Sequence, residues 1–394
     1  MRRLSRSPEN TPVVVSCCRT AIGRSDADRG VFREVRGDEL AALVVAEAVA
    51  RGRVPPECIE DILVGVTQQR AELGGNVART ISMLAGLPFT AAASTTNRLC
   101  GSSLQGLSQA CHSIVAGAED IHVVAGVEHM QRLPMNSEIN FHPQAFSNSS
   151  RAVLSMGLTA EFLASSRGIS RKSQEEYALE SHRRATQAAD TGFFKNEIVQ
   201  CQGLDDNGVL AFVDRDQSIR SDASLAAMEK LNPVFVPKLG SITAATSAPL
   251  SDGAAAMVVM SEATAHRHQL TPMVRVLSTA VVGVSPALMG TGPVHATHKV
   301  LHRSGVRLQD IKIIELNEAF AAQAIACVEE LKLDYGRVNV CGGSLAIGHP
   351  LGASGARIST TLIHAMRDRQ VCLGLATMCI GLGQGIAVIF ELIE

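Results

Sequence analysis

The sequence predicts an α/β protein made of two similar halves with an insertion between them, and three observations carry that prediction. Short apolar runs of strand length alternate with longer amphipathic runs from Thr11 to Gly126, the pattern of helices layered on a mainly parallel sheet. The same alternation returns in the C-terminal third. Between them lies a stretch of different texture, in which Met, Asn, Ser and Phe are punctuated by turn residues. We therefore divide the chain into a first half at 1–126, completed by about 251–272, an inserted region at 127–250, and a second half at 273–394. At 394 residues it exceeds what one core usually organises.

In the first half, Thr11 to Ser16 reads as a strand, Val-rich enough for burial on both faces. Arg19 to Arg24 reads as a polar loop, and Asp38 to Ala50 as a helix capped by Asp38 and ended by Pro55-Pro56. Ile59 to Val66 is the next strand. Asn76 to Ala85 is a helix stopped by Gly86 and Pro88, and Ala93 to Asn97 is the strand that delivers Cys100. A helix then runs to about Ala116, and Asp120 to Gly126 is a strand.

The insertion holds one clear helix, Arg171 to Asp190, with Ser170 as cap and Glu175 and Glu176 expected in the first turn, where they suit the helix dipole. An excursion of this length over one face of a fold usually binds substrate. In the second half, the helix Val294 to Ser304, the link Gly305 to Asp310 and the strand Ile311 to Leu316 mirror the first. The turn at His349 feeds a helix from about Gly352 to Met366, as the turn at Cys100 does, and Val371 to Met378 matches the strand at Asp120.

Composition narrows the function. With 36 Lys and Arg against 38 Asp and Glu, the chain has no electrostatic footprint for nucleic acid. It is 46% hydrophobic, which argues against disorder, yet only 3% aromatic with 33 Gly, so close backbone packing must replace aromatic bulk. The ten cysteines include no CxxC pair, and no apolar secretion segment opens the chain. Reduced thiols in a cytoplasmic protein are expected, rather than a zinc site or a disulfide scaffold. The basic opening, Met1 to Ser7, is cut short by Pro8 and Glu9 and reads as a frayed tail. Apolar runs such as Ala41 to Ala50 meet Glu47 well before bilayer length, so no membrane span is expected.

Chemistry concentrates in a few glycine-rich turns. Cys100 stands where a strand turns into a helix, and the unpaired amides of a first helical turn favour thiolate over thiol. The plainer reading is a small buried hydrophobe. A cysteine nucleophile needs a base, and His349 sits in a Gly-rich turn before Pro350, which exposes an imidazole on a fixed backbone. Cys379 ends an apolar strand and is followed by Gly381, Gly383 and Gly385. Such a turn aims N–H groups into a cavity, as a developing oxyanion requires. Covalent acyl transfer with a proton shuttle at carbon fits all three. Metal ligation by Cys100, Cys379 and His349 competes with it, without a short-spaced ligand pair in support.

Together with Asn317-Glu318-Ala319-Phe320 and Gly342 to Pro350, these motifs stand in the order found in thiolases, and the chain resembles that family from Arg19 to its C-terminal strand. Asn97 to Ser103, Gly126 to Met130, Gly157 to Glu161 and Ala376 to Gly385 are most similar to the bacterial 3-ketoacyl-CoA thiolases of fatty-acid β-oxidation. The resemblance implies two βαβαβαββ halves in αβαβα layers with an inserted loop domain. It implies CoA-dependent cleavage of 3-ketoacyl-CoA to acetyl-CoA and a shortened acyl-CoA through an acyl-cysteine. Cys100 would be the nucleophile, His349 the base, and Cys379 the acid and base at carbon. The amides of Cys100 and Gly381 would form one oxyanion hole, and His349 with a water held by Asn317 the other. No metal or redox cofactor is implied, only CoA as substrate.

The resemblance further implies a homodimer or dimer of dimers and a hydratase/dehydrogenase α-subunit as partner. Alternatives are a biosynthetic acetoacetyl-CoA thiolase, a condensing enzyme of a specialised pathway, or a non-catalytic docking subunit. A decarboxylating ketosynthase is disfavoured by Cys379. Three stretches depart from the family pattern: Arg19-Thr20-Ala21 stands for the usual Arg-Thr-Pro, Asp26-Ala27-Asp28-Arg29 lacks the family's Lys-Gly-Gly run, and one loop reads Thr243-Ala244-Ala245-Thr246-Ser247-Ala248, then Pro249. Ala248 stands where thiolases carry a serine that bonds the pantetheine arm of CoA, with Ser247 beside it, and Ala245 replaces a glycine. Weaker or altered recognition of that arm is the expectation.

Overall fold

The computed structural model describes residues 7–135 and 138–393; all of the expected tail except Ser7 lies outside them. β1 (Pro12–Thr20) is buried at every position, because a Val run without polar alternation must be covered on both faces. It runs further than the sequence reading allowed. Arg19, assigned to a polar loop, is a fully buried strand residue. Asp216 holds its guanidinium at 2.6 and 2.9 Å and Glu197 at 2.6 Å, the pairing that lets a charge stay buried. α1 (Gly37–Gly52) ends on Arg53 in the left-handed conformation. Asp38 does not cap it; Asp38 lies inside the first turn and accepts from Arg36 at 2.9 and 2.6 Å.

β2 (Asp61–Gly65), α2 (Val77–Leu84), β3 (Ala92–Thr96), α3 (Ser102–Ala116) and β4 (His122–His129) follow in the expected alternation. The insertion contributes α4 (Met156–Arg167) and α5 (Arg171–Asp190). The Ser170 side chain caps α5 by accepting from the Ser173 amide. Its first turn carries no acid, and Glu175 pairs with Arg171 at 2.7 Å, one helical turn apart.

β5 (Ser251–Ser261) returns to the first half and lies antiparallel between β1 and β4. The second half then repeats the plan with β6 (Val274–Gly283), α6 (Gly292–Ser304), β7 (Ile313–Leu316), α7 (Ala321–Glu330), α8 (Ser354–Asp368), β8 (Leu373–Ile380) and β9 (Gln384–Leu392). Strand order is β3-β2-β4-β5-β1 in one half and β7-β8-β9-β6 in the other. The two sets join where Val13 and Val14 of β1 meet Arg275 and Val274 of β6. The counterpart of β3 in the second half is reduced to one parallel bridge, Ile314 to Val338.

Pairing is mixed rather than mainly parallel. β2 runs parallel to β3 and β4, and β7 to β8, whereas β5, β1, β9 and β6 pair antiparallel. The reason is partly local: only three residues separate β8 from β9, and a link that short closes only an antiparallel hairpin. α3 and α8 touch each other and strands of both halves, while α1 and α6 pack on one set each. The two former helices are thus the middle layer. Glycine lets them close: a Cβ on Gly355 would meet the Leu104 backbone, and one on Gly126 the Gly352 carbonyl. Among the described residues, no helix is long and apolar enough to cross a membrane.

Candidate active site

Cys100 sits on a turn held together by its own residues. Leu99 takes a φ of 46°, a costly conformation for a bulky residue and one that clusters at functional sites. The Leu99 amide donates to Asn97 Oδ1 at 2.9 Å, and Ser102 Oγ accepts from the Arg98 amide at 2.9 Å. α3 begins with no side-chain cap; the Gly101 and Ser102 amides donate to the Arg98 and Leu99 carbonyls, each at 3.0 Å. The Arg98 guanidinium reaches Gln384 Oε1 at 3.0 Å and ties this turn to the β8–β9 hairpin.

That hairpin turns through Gly381-Leu382-Gly383, with positive φ at Leu382 and Gly383. The Gly381 amide lies close enough to the Cys100 thiol to lower its pKa. Cys379, buried at the end of β8, packs with Met289, Leu163 and Phe320 and is close enough to Cys100 to feel its charge.

His349 follows Gly348, whose φ is 119°. Its amide donates to Ser251 Oγ at 3.0 Å, and Ser251 in turn donates to Pro249 O at 2.7 Å. The ring orientation follows from a proton count. Ser354 gives its hydroxyl proton to Pro350 O at 2.8 Å, so at 2.6 Å from His349 Nδ1 it accepts. Nδ1 therefore carries the hydrogen and Nε2 the free lone pair, facing Asn317 Nδ2 at 3.4 Å. The ends of the two middle helices are stitched together by Ser103 Oγ, which accepts from the Ala356 amide at 2.9 Å.

Electrostatics revise one expectation. Burial pushes the Cys100 thiol up to about 11, outweighing the amides of Gly381 and Cys100 that pull it down, and the Glu128 carboxylate adds to the rise. At neutral pH Cys100 is a thiol, not the thiolate that its position at a helix start predicts. Burial, and then Arg357, pushes His349 down to about 3, so the imidazole is neutral. Burial holds Cys379 well above the ordinary thiol range, with Cys100 contributing.

The departed loop docks on the Asn317 block: the Ala248 amide donates to Ala319 O at 3.0 Å and the Ala321 amide to Thr246 O at 2.9 Å. The Ser247 hydroxyl is turned back onto Thr243 O at 2.9 Å, so it does not stand in for a serine at 248. Ala245 is not among the residues with positive φ, so the alanine carries no backbone strain there. Ala245, Ser247 and Ala248 line a cavity of about 730 Å³ whose wall also carries Arg24, Arg220, His182 and Phe235. Among the described residues, no three His, Cys, Asp or Glu side chains converge as a metal site.

Several supporting residues have no role assigned from the sequence, although Glu128 and Ser344 lie within its motifs. Glu128 accepts from the amides of Thr67, Gln68 and Gly352 at 3.1, 3.0 and 2.8 Å, which clamps the start of the His349 helix to β4. Ser354, Ser344 and Arg357 lie just after or within the quoted His349 motif, and the only available signal was an excess of hydroxyls and one arginine in an otherwise apolar stretch.

Comparison with known proteins agrees with this architecture. The family model for the thiolase N-terminal domain matches residues 12–263 and that for the thiolase C-terminal domain residues 270–392. A 3-ketoacyl-CoA thiolase from Photobacterium profundum is 49% identical over 387 residues, 97% of this chain and 99% of its own. Human mitochondrial 3-ketoacyl-CoA thiolase superposes with a TM-score of 0.90 at 33% identity, over 98% of this chain and 100% of that one. Its complex with CoA gives 0.88 at 33% identity, over 98% of each. An acetyl-CoA acetyltransferase from Bacillus anthracis gives 0.89 at 34% identity, over 97% of this chain and 99% of that one. The fold is the thiolase fold, and the chain belongs to the thiolase family of acyltransferases.

Proposed function

We propose that the chain is a 3-ketoacyl-CoA thiolase that cleaves its substrate with CoA into acetyl-CoA and a shortened acyl-CoA. The observation that carries this reading is the Gly381 amide set beside the Cys100 thiol, where it favours negative charge on that sulfur, in a chain whose His349 is neutral with a bare Nε2. Cys100 Sγ attacks the 3-keto carbon while its proton passes to His349 Nε2. The oxyanion forms against the amides of Cys100 and Gly381, where each such donor is typically worth about 10²–10³ in rate. The C2–C3 bond then breaks, and acetyl-CoA leaves as an enolate stabilised by His349 and a water on Asn317. Cys379, which keeps its proton at neutral pH, delivers it to that carbon. The CoA thiol then gives its proton to Cys379 and takes the acyl group from Cys100, whose sulfur recovers its proton from His349.

The 730 Å³ cavity supports CoA as the ligand, since Arg24 and Arg220 on its wall suit phosphates, with Ala245, Ser247 and Ala248 beside the pantetheine arm. The human relative has been solved in complex with CoA. Thiolysis of acetoacetyl-CoA and of a medium-chain 3-ketoacyl-CoA, measured beside Cys100→Ala, tests the reading: cleavage of the longer substrate, lost in the variant, is expected. Cleavage of acetoacetyl-CoA alone would favour a biosynthetic acetoacetyl-CoA thiolase or a condensing enzyme, a second reading supported by the near-equal likeness to the Bacillus anthracis acetyltransferase. No turnover by a folded protein would point to a docking subunit.

The same proposal includes a cytoplasmic location, the division at 1–126 with 251–272, 127–250 and 273–394, and a homodimer or dimer of dimers. β3 supports the dimer: it is the last strand of its sheet and only partly covered, and such edges recruit a partner strand. Light scattering of the purified chain tests it, and copurification tests a hydratase/dehydrogenase α-subunit.

A further inference from the structure

Behind the site, three hydrogen bonds run in one direction. Arg357, fully buried on α8, donates from Nη2 to Ser344 Oγ at 2.7 Å. A guanidinium only donates, so Ser344 accepts there and its single proton goes to Asn317 Oδ1 at 2.7 Å. Asn317 Nδ2 is thereby left facing His349 Nε2, the nitrogen that Ser354 leaves without a hydrogen. The opposite amide orientation would set Oδ1 against that bare nitrogen. It would also give Ser344 two donors and no acceptor for its own proton, and unmade hydrogen bonds in a buried site are costly. Arg357 cannot surrender its charge, and Glu315 lies 3.5 Å from it with its carboxyl pushed up to about 8 by burial. The cation therefore sets the direction of the whole chain of bonds.

We propose that Arg357, acting through Ser344, fixes the Asn317 amide with its N–H pair toward His349 and the substrate, so that both are positioning residues for carbon–carbon cleavage. Neither touches substrate; both act through Asn317. The inference rests on the thiolase reading, and it separates two stages of that reaction. Cleavage passes through an enolate at Asn317 and His349. Exchange of an acetyl group between acetyl-CoA and labelled CoA needs attack by Cys100, His349 as its base and the oxyanion held by the amides of Cys100 and Gly381, and passes through no enolate at Asn317.

Removing Arg357 would strand Glu315, so the test uses Ser344→Ala and Ser344→Thr in the full chain. In Ser344→Ala, kcat for acetoacetyl-CoA cleavage is expected to fall about 10–100-fold at near-constant KM as the amide samples both orientations. Label exchange is expected to stay within about twofold, and Ser344→Thr, which keeps the hydroxyl, to recover most of the cleavage. Equal slowing of both stages, or of neither, overturns the proposal. A second readout needs no turnover: the Asn317 side-chain amide protons, assigned by their loss in Asn317→Asp, are expected to shift in the NMR spectrum of Ser344→Ala. An unmoved signal overturns the orientation proposal, whereas a wild-type chain inert in both cleavage and exchange overturns the thiolase reading instead.

Discussion

The turn at Cys100 and the turn at His349 occupy corresponding places in the two halves, yet they hold their side chains in opposite ways. Cys100 is held by main chain: a left-handed Leu99, the uncapped start of α3 and the Gly381 amide. His349 is held by side chains, with Ser354 on one ring nitrogen and Asn317 on the other. The difference follows from what each group must do. Backbone amides stabilise a negative charge wherever it appears along the attack path, whereas a base needs one tautomer and one direction for its lone pair.

The largest expected break of this contrast is removal of either side chain. Cys100→Ala should lower kcat for cleavage by about 10⁴-fold or more, and His349→Ala by about 10²–10⁴-fold. CoA binding, followed by calorimetry, should survive in both. Next comes Ser354→Ala, which frees Nδ1 and with it the tautomer; a loss of about 10–100-fold in kcat at unchanged KM is expected. The Cys100 thiol itself offers no such target, because the groups that act on it are amides.

Titration sharpens the same contrast. With the Cys100 thiol at about 11, the thiolate fraction climbs about tenfold per pH unit below that value. The rate of Cys100 alkylation by iodoacetamide, read by mass spectrometry, should therefore rise about tenfold per unit from pH 7 to 9 without a plateau. His349, held near 3, should show no titration of its ring signals between pH 5 and 8. The smallest effect concerns the departed loop: Ala248→Ser should lower KM for CoA by about 2–10-fold, the worth of one hydrogen bond. An unchanged KM would remove the loop from CoA recognition.

What the sequence made legible was local. α5 begins and ends at the residues expected because Ser170 caps it through a contact three residues away. The turns at Cys100, His349 and Cys379 announce themselves through glycines next to reactive side chains. What stayed hidden depends on partners remote in sequence. Arg19 looked like loop until Glu197 and Asp216 arrived to neutralise it. Asp38 looked like a cap, but Arg36 claims it. Strand direction was misjudged because an apolar run reads alike in parallel and antiparallel pairing. The charge state of Cys100 was misjudged because helix-start amides are visible in a sequence and the cost of burial is not.

The approach of the Gly381 amide to Cys100 also sets a schedule. During synthesis the thiol emerges about 250 residues before His349 and about 280 before Gly381, and contacts so distant in sequence form late in folding. A partly made chain carries Cys100 with neither base nor oxyanion donor, so acyl transfer begins only when the second half closes onto the first. The ribosome thus releases an ordinary thiol, and folding both buries it, pushing it up to about 11, and supplies the groups that put it to use.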